Sequence, residues 1–195
     1  MGGQKKLGTS VRDSLFRAAS RTYGEQYIEP LIRRKYGFHK PAGNDHDAAD
    51  SEGIRYEIKA SKVMKKRHNL EGSKPLLERI LFEEEEALTT RMVPFADATN
   101  ASYDANIQNV KRDHFDTLIY VLLFSDCVKV FFAPTEDVIK GKFKGWSDKH
   151  GLYDQHGKSG QFSIRKTTID WHLKRYLKDT LDYNELSEIY KALSK

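Results

Sequence analysis

The stretch Asp47-Ala-Ala-Asp50-Ser-Glu-Gly53-Ile-Arg-Tyr-Glu57-Ile-Lys59 decides how the chain is read. Ile54, Tyr56 and Ile58 alternate with Arg55, Glu57 and Lys59, the period-two pattern of a strand with one apolar face. Asn44, Asp45 and Asp47 suit a turn, and Glu52-Gly53 suits a hairpin connection. Glu57 and Lys59 are two residues apart, so a strand sends both side chains to the same face. Asp47 lies across the expected hairpin from them. Two carboxylates and a lysine then converge on one spot of a sheet.

Outward from that hairpin, residues Thr117 to Phe124 form an apolar, β-branched and aromatic run, as a buried central strand does. Ser125-Asp126 is a tight turn, Cys127 to Ala133 reads as the next antiparallel strand, and Pro134 ends it. On the N-terminal side the spacing predicts a helix over about Val11 to Tyr23 and another opening near Glu25. Pro30 disfavours an uninterrupted helix, and Gly37 is a plausible stop. Pro75 to Thr90 reads as a helix with Leu77, Ile80, Leu81, Ala87 and Leu88 inward. Gly141 to Gly160 reads as a long ordered loop, and Gln161 to Ile164 as a short strand. Two C-terminal helices follow, with Asp182 and Glu185 as a capping box for the second. There is no internal repeat or linker, and 195 residues suit a single domain over 1–195.

Hydrophobic residues make up 38% of the chain and recur periodically, which supports one core and excludes full disorder. Cys127 is the only cysteine, so neither an intrachain disulfide nor a cysteine-based zinc framework is possible. The first residues are not an apolar signal segment, and no run approaches the roughly 20 apolar residues of a membrane span. The expected location is cytoplasmic, with no membrane partner. The net charge of +5 is unevenly placed. Lys62, Lys65, Lys66 and Arg67 cluster, as do Lys140, Lys142, Lys144 and Lys149. Such clusters attract a polyanion, although solvated faces also look like this.

Two converging carboxylates raise each other's pKa unless a cation joins them. Mg2+ prefers oxygen ligands and keeps several waters, leaving room for a phosphate oxygen and a nucleophilic water. Lys59 beside it has three candidate roles: orienting the water, accepting its proton if its pKa is depressed, or neutralising developing charge. The plain alternative is an acidic turn before an amphipathic strand whose Glu57 and Lys59 are merely solvated.

Asp47…Glu57-Ile58-Lys59 resembles the PD-(D/E)XK nuclease superfamily, and within it the type II restriction endonucleases. The likeness covers the active-site hairpin and, loosely, Trp146-Ser147-Asp148-Lys149-His150 with the polar loop after it. It does not extend over the N-terminal helices or over Ser61 to Ile107. The family's nominal motif has Pro before the metal-binding Asp, a place held here by His46; many active members lack that Pro. The resemblance implies an α/β (α+β), restriction-endonuclease-like mixed β-sheet flanked by helices. It implies Mg2+-dependent hydrolysis of double-stranded DNA, with Mn2+ expected to substitute, leaving 5′-phosphate and 3′-hydroxyl ends. It also implies a homodimer and functional pairing with a cognate DNA methyltransferase, without a stable complex. Asp47, Glu57 and Lys59 take the catalytic places, with Asp47 and Glu57 as metal ligands.

Glu25, at the opening of a helix, suits the helical acid that helps hold metal in many members, with Glu29 as its substitute. Pairing of a carboxylate with the helix N-terminus explains Glu25 equally well. Residues 146–166 are the candidate DNA-reading loop. Within it His150, Tyr153, Gln155 and His156, with Lys158, Ser159 and Gln161, supply the mixed donors and acceptors that major-groove reading needs. Lys62, Lys65, Lys66, Arg67 and His68, just after the catalytic strand, are placed to hold phosphates, which positions DNA without specifying sequence. Two other functions remain open at this point. One is a structure-directed repair or recombination nuclease of the same superfamily, and the other is a non-catalytic DNA-binding protein. His172, between Trp171 and Leu173 on a helix, reads as structural.

Overall fold

The expected central run forms strand β4 (Thr117–Leu123), and its position explains its composition. Leu118, Tyr120 and Leu122 point to one face and Ile119, Val121 and Leu123 to the other, all without solvent contact. A strand covered on both sides has no place for polar alternation. The structure, a computed structural model, describes residues 24–43, 45–65, 91–148 and 159–193. The expected helices over 11–23 and 75–90 lie outside the described residues.

Five strands make the main sheet. The hairpin supplies β1 (Ala48–Ala49) and β2 (Arg55–Lys62); β4 follows, then β5 (Val128–Pro134) and finally β8 (Leu177–Leu181), in the order β1-β2-β4-β5-β8. β2 and β4 run parallel and the other pairs antiparallel, so the sheet is mixed. A second, antiparallel sheet joins β3 (Ala105–Val110), β7 (Gly160–Ile164) and β6 (Trp146–Ser147) in the order β3-β7-β6. Its apolar residues Ala105, Ile107, Phe162 and Ile164 share a core with Leu118, Tyr120 and Leu122, so it covers one face of the main sheet. Helix α1 (Gly24–Tyr36) and helix α3 (Tyr183–Leu193) cover the other, with Ile28, Leu31, Ile32 and Leu186 against Ile119, Val121 and Val130. Helix α2 (Ile169–Tyr176) packs against β5 and β8.

The helix expected to open near Glu25 and to stop at Gly37 is α1, which carries Pro30 inside it. Other sequence expectations need correction. Strand β2 begins at Arg55, leaving Ile54 exposed rather than inward. The stretch 141–160 is not all loop, because Trp146–Ser147 pairs with β7. Gly160 makes that pairing possible: a Cβ there would lie 2.1 Å from the Trp146 ring. Between the two C-terminal helices sits the unexpected strand β8. Half of the capping box forms, with the Glu185 N–H donating to Asp182 Oδ1 at 2.7 Å; the Glu185 carboxylate pairs instead with Lys35. No helix among the described residues is long and apolar enough to cross a membrane.

Candidate active site

The hairpin turn is built from its own residues. Asp50 Oδ1 accepts the N–H groups of Glu52 (3.0 Å) and Ile54 (2.9 Å), and Asp50 Oδ2 accepts the Tyr56 hydroxyl at 2.8 Å. Gly53 takes a φ of +84°, a region closed to most side chains. Asp50 is thus a turn-former. The turn sets β1 against β2 with Ala48 opposite Tyr56, and Asp47 arrives beside β2.

Tyr56 and Ile58 enter the core beneath α1, so Glu57 and Lys59 project from the opposite face. Asp47 reaches them from the side. Its Oδ2 accepts the Ile58 N–H at 2.8 Å, which fixes the carboxylate against the strand. The Lys59 ammonium pairs closely with Glu57 Oε1 and lies 3.6 Å from Asp47 Oδ2. The three groups expected from the sequence therefore do meet. Glu57 is nearly enclosed, and Lys59 and Asp47 are about a quarter open to solvent.

Helix α1 adds a third carboxylate. Glu29 is buried and pairs with Arg33 at 3.3 Å, while Arg33 Nη1 donates to the Asp47 carbonyl at 2.9 Å. Burial, reinforced by the charge of Asp47, pushes the Glu29 carboxyl up to about 7; Arg33 and Lys59 oppose the shift. Glu29 thus answers electrostatically to the same centre. Glu25 lies one turn earlier on the helix backbone. The signal that Arg33 belongs here was only its helical spacing from Glu29, which sequence alone does not connect to Asp47.

Burial also raises the pKa of Glu57, with Lys59 pulling it down and Asp47 pushing it up. For Lys59, burial disfavours the ammonium, but Glu57 and Asp47 outweigh it and its pKa rises. The depressed lysine that would make a ready base is not found in this arrangement. Desolvated carboxylates that crowd one another form an environment that a hard cation relieves. Asp47 Oδ1 and Glu57 Oε2 have no hydrogen-bond donor among the described residues, leaving two oxygens free as ligands. Among those residues no three His, Cys, Asp or Glu side chains cluster as a ligand set. Two carboxylate oxygens are nevertheless a fitting donor set for Mg2+, which retains most of its waters.

The DNA-contact candidates divide in three. Lys62 closes β2, and exposed Lys65 lies beside Tyr103 and Arg91 on the continuation of that strand. Ser159 and Gln161 flank or lie in β7. Lys66, Arg67, His68, His150, Tyr153, Gln155, His156 and Lys158 lie outside the described residues. Gln161 shares the outer face of the small sheet with Ser163, Asn106 and Gln108, since Asn106 is register partner to Ser163 and the side chains alternate. All four are partly buried and uncharged, and none has a side-chain hydrogen bond among the described residues. Asn106 Oδ1 is shielded from solvent and unpartnered. A β-bulge between Ile107 and Val110 puts Asn109 at φ +56° on this strand. His172 is structural, as expected: fully buried, it meets the Tyr120 hydroxyl through Nδ1 at 2.9 Å.

No protein-family model matches the chain, and no curated protein sequence matches it significantly.

Proposed function

We propose that this protein is a Mg2+-dependent endonuclease that hydrolyses phosphodiester bonds of double-stranded DNA at a specific site, in the manner of type II restriction endonucleases. The observation that carries the reading is the meeting of Asp47, Glu57 and Lys59 at one point on the sheet edge. The Asp-Ala-x-Asp…Gly…Tyr-Glu-x-Lys pattern there resembles that of PvuII endonuclease.

Asp47 and Glu57 would hold the ion, with Glu29 or Glu25 on helix α1 as the helical acid. The bound ion supplies Lewis acidity toward the phosphate and a lowered pKa for water. Lys59 donates toward the reacting phosphate and offsets negative charge as it builds. Arg33 fixes the Asp47 backbone, and Ile58 fixes its carboxylate. The uncharged face of Asn106, Gln108, Gln161 and Ser163 offers amide donors and acceptors of the kind that read base edges, and Gln and Asn pair well with adenine. A homodimer reading a two-fold symmetric site, one centre per strand, belongs to this reading, as does a methyltransferase protecting the host's own copies.

Incubation with plasmid and Mg2+ tests it. Discrete fragments with 5′-phosphate ends are the expected product. Smearing would indicate a nuclease without sequence preference, and intact plasmid with every divalent metal tried would leave only DNA binding.

A further inference from the structure

The corner between β3 and β4 borders the carboxylate centre, and the reading so far gives it no task. Its 3-10 turn, Arg112–His114, is held firmly. Asp116, two residues on, takes both guanidinium arms of Arg55 (2.8 and 3.1 Å) and the Arg55 N–H (2.9 Å), and returns its own N–H to the Arg55 carbonyl at 2.9 Å. The corner is thereby joined to the first residue of the catalytic strand. His114 Nδ1 lies 3.1 Å from the Asp45 carbonyl, two residues before Asp47. A carbonyl only accepts, so Nδ1 carries the proton and Nε2 is left for something else. The charge of His114 is felt at Glu57, and the ring is a little over one-third exposed. In the same turn the Arg112 Nε is shielded from water and has no acceptor. A withdrawn guanidinium N–H without an acceptor is uncommon, and an anion is its natural partner.

We propose that this corner is a clamp for a DNA backbone phosphate beside the one that is cleaved, with His114 Nε2 as its first donor and Arg112 as its second. The proposal rests on the nuclease reading above. DNA arriving at the centre meets Glu29, Asp47 and Glu57, while Lys59 is already shared between two of them; neighbouring phosphates need cations from elsewhere. A phosphate oxygen at Nε2 favours the doubly protonated ring, which then donates at both ends. The Asp45 carboxylate, 83% exposed, is well screened and repels the incoming phosphate only weakly.

His114→Asn is the cleanest test, because its amide N–H replaces Nδ1 at the Asp45 carbonyl while Nε2 is lost. Binding of a short duplex of arbitrary sequence is measured in EDTA over a NaCl series. For His114→Asn, and separately for Arg112→Ala, the slope of log K against log [NaCl] is expected to fall by about 0.9, with a several-fold weakening on every sequence. Unchanged slope and affinity in both variants would overturn the clamp; so would weaker binding with an unchanged slope. A third check uses the wild-type protein: the His114 ring nitrogen resonances should shift on adding the duplex, and unmoved resonances would count against the idea even if the variants failed to fold. Wild-type protein that never cleaves DNA, yet loses slope on His114→Asn, would keep the clamp and sink the nuclease. Protein that cleaves while His114→Asn and Arg112→Ala keep the full slope would do the reverse.

Discussion

Lys59 and Tyr120 are register partners on adjacent parallel strands, and their side chains leave the same face of the sheet. Tyr120 stands in the middle, stacked on Phe131 at 4.6 Å, and its hydroxyl meets His172 in a shell of aromatic rings. Lys59 stands one strand nearer the edge, among Glu57, Asp47 and the field of Glu29. The interior position holds a neutral hydrogen-bonded pair, with burial pushing His172 down to about 4 so that it stays uncharged. The edge position holds formal charges whose mutual repulsion burial worsens. Neutral pairs of the first kind stabilise a core, whereas buried like charges of the second kind lower stability unless a ligand joins them. The contrast separates a scaffold from a site, and each half is open to attack.

The largest effect should come from Glu57→Ala. The proposed Mg2+-dependent cleavage is expected to fall by roughly 10³-fold or more, while the melting temperature holds or rises because a buried carboxylate is gone. Single-turnover cleavage with thermal melts checks both; an active variant, or a collapsed one, would erase the distinction.

Next is the pH response of the interior pair. The unfolded chain protonates His172 near its ordinary value of about 6.5, but the folded chain does so only near about 4. Between those values the unfolded state binds more protons, so stability present above pH 6.5 is lost as pH falls toward 4, by up to about 3 kcal/mol from this residue. Urea midpoints of wild type and His172→Phe over that range should diverge, the variant having the flatter profile. Parallel profiles would mean that His172 is not held neutral by its surroundings.

Tyr120→Phe should cost about 1–2 kcal/mol by stranding His172 Nδ1, with kcat unaffected at temperatures where the variant is folded. Smallest of all, Tyr56→Phe removes the hydroxyl that Asp50 accepts and should cost about 1 kcal/mol, since the turn keeps its two backbone bonds to Asp50. A large loss of cleavage from Tyr120→Phe would show that the two positions are coupled rather than distinct.

The site was more legible in the sequence than the sheets were. Asp47, Glu57 and Lys59 lie on one hairpin, so local alternation and one turn were enough to bring them together. Glu29 and Arg33 join them through tertiary packing of α1, which no spacing reveals. β4 and β5 announce themselves by apolar content. β8 does not: Leu177, Lys178 and Thr180 are exposed and only Leu181 is fully buried, because an edge strand is held by backbone pairing with β5 more than by its side chains. β3 is hidden for a related reason. Asn106, Gln108 and Asn109 have low strand propensity, and only Ala105, Ile107 and Val110 reach the core.

The central claim is that Asp47 and Glu57 share one divalent ion beside Lys59. Titration of Mn2+ into the protein bound to a short duplex, read by the loss of the free-ion electron paramagnetic resonance signal, tests it directly. Saturable binding in the wild type that is abolished in both Asp47→Asn and Glu57→Gln is expected. Equal binding in all three proteins, or none in the wild type, would contradict the account.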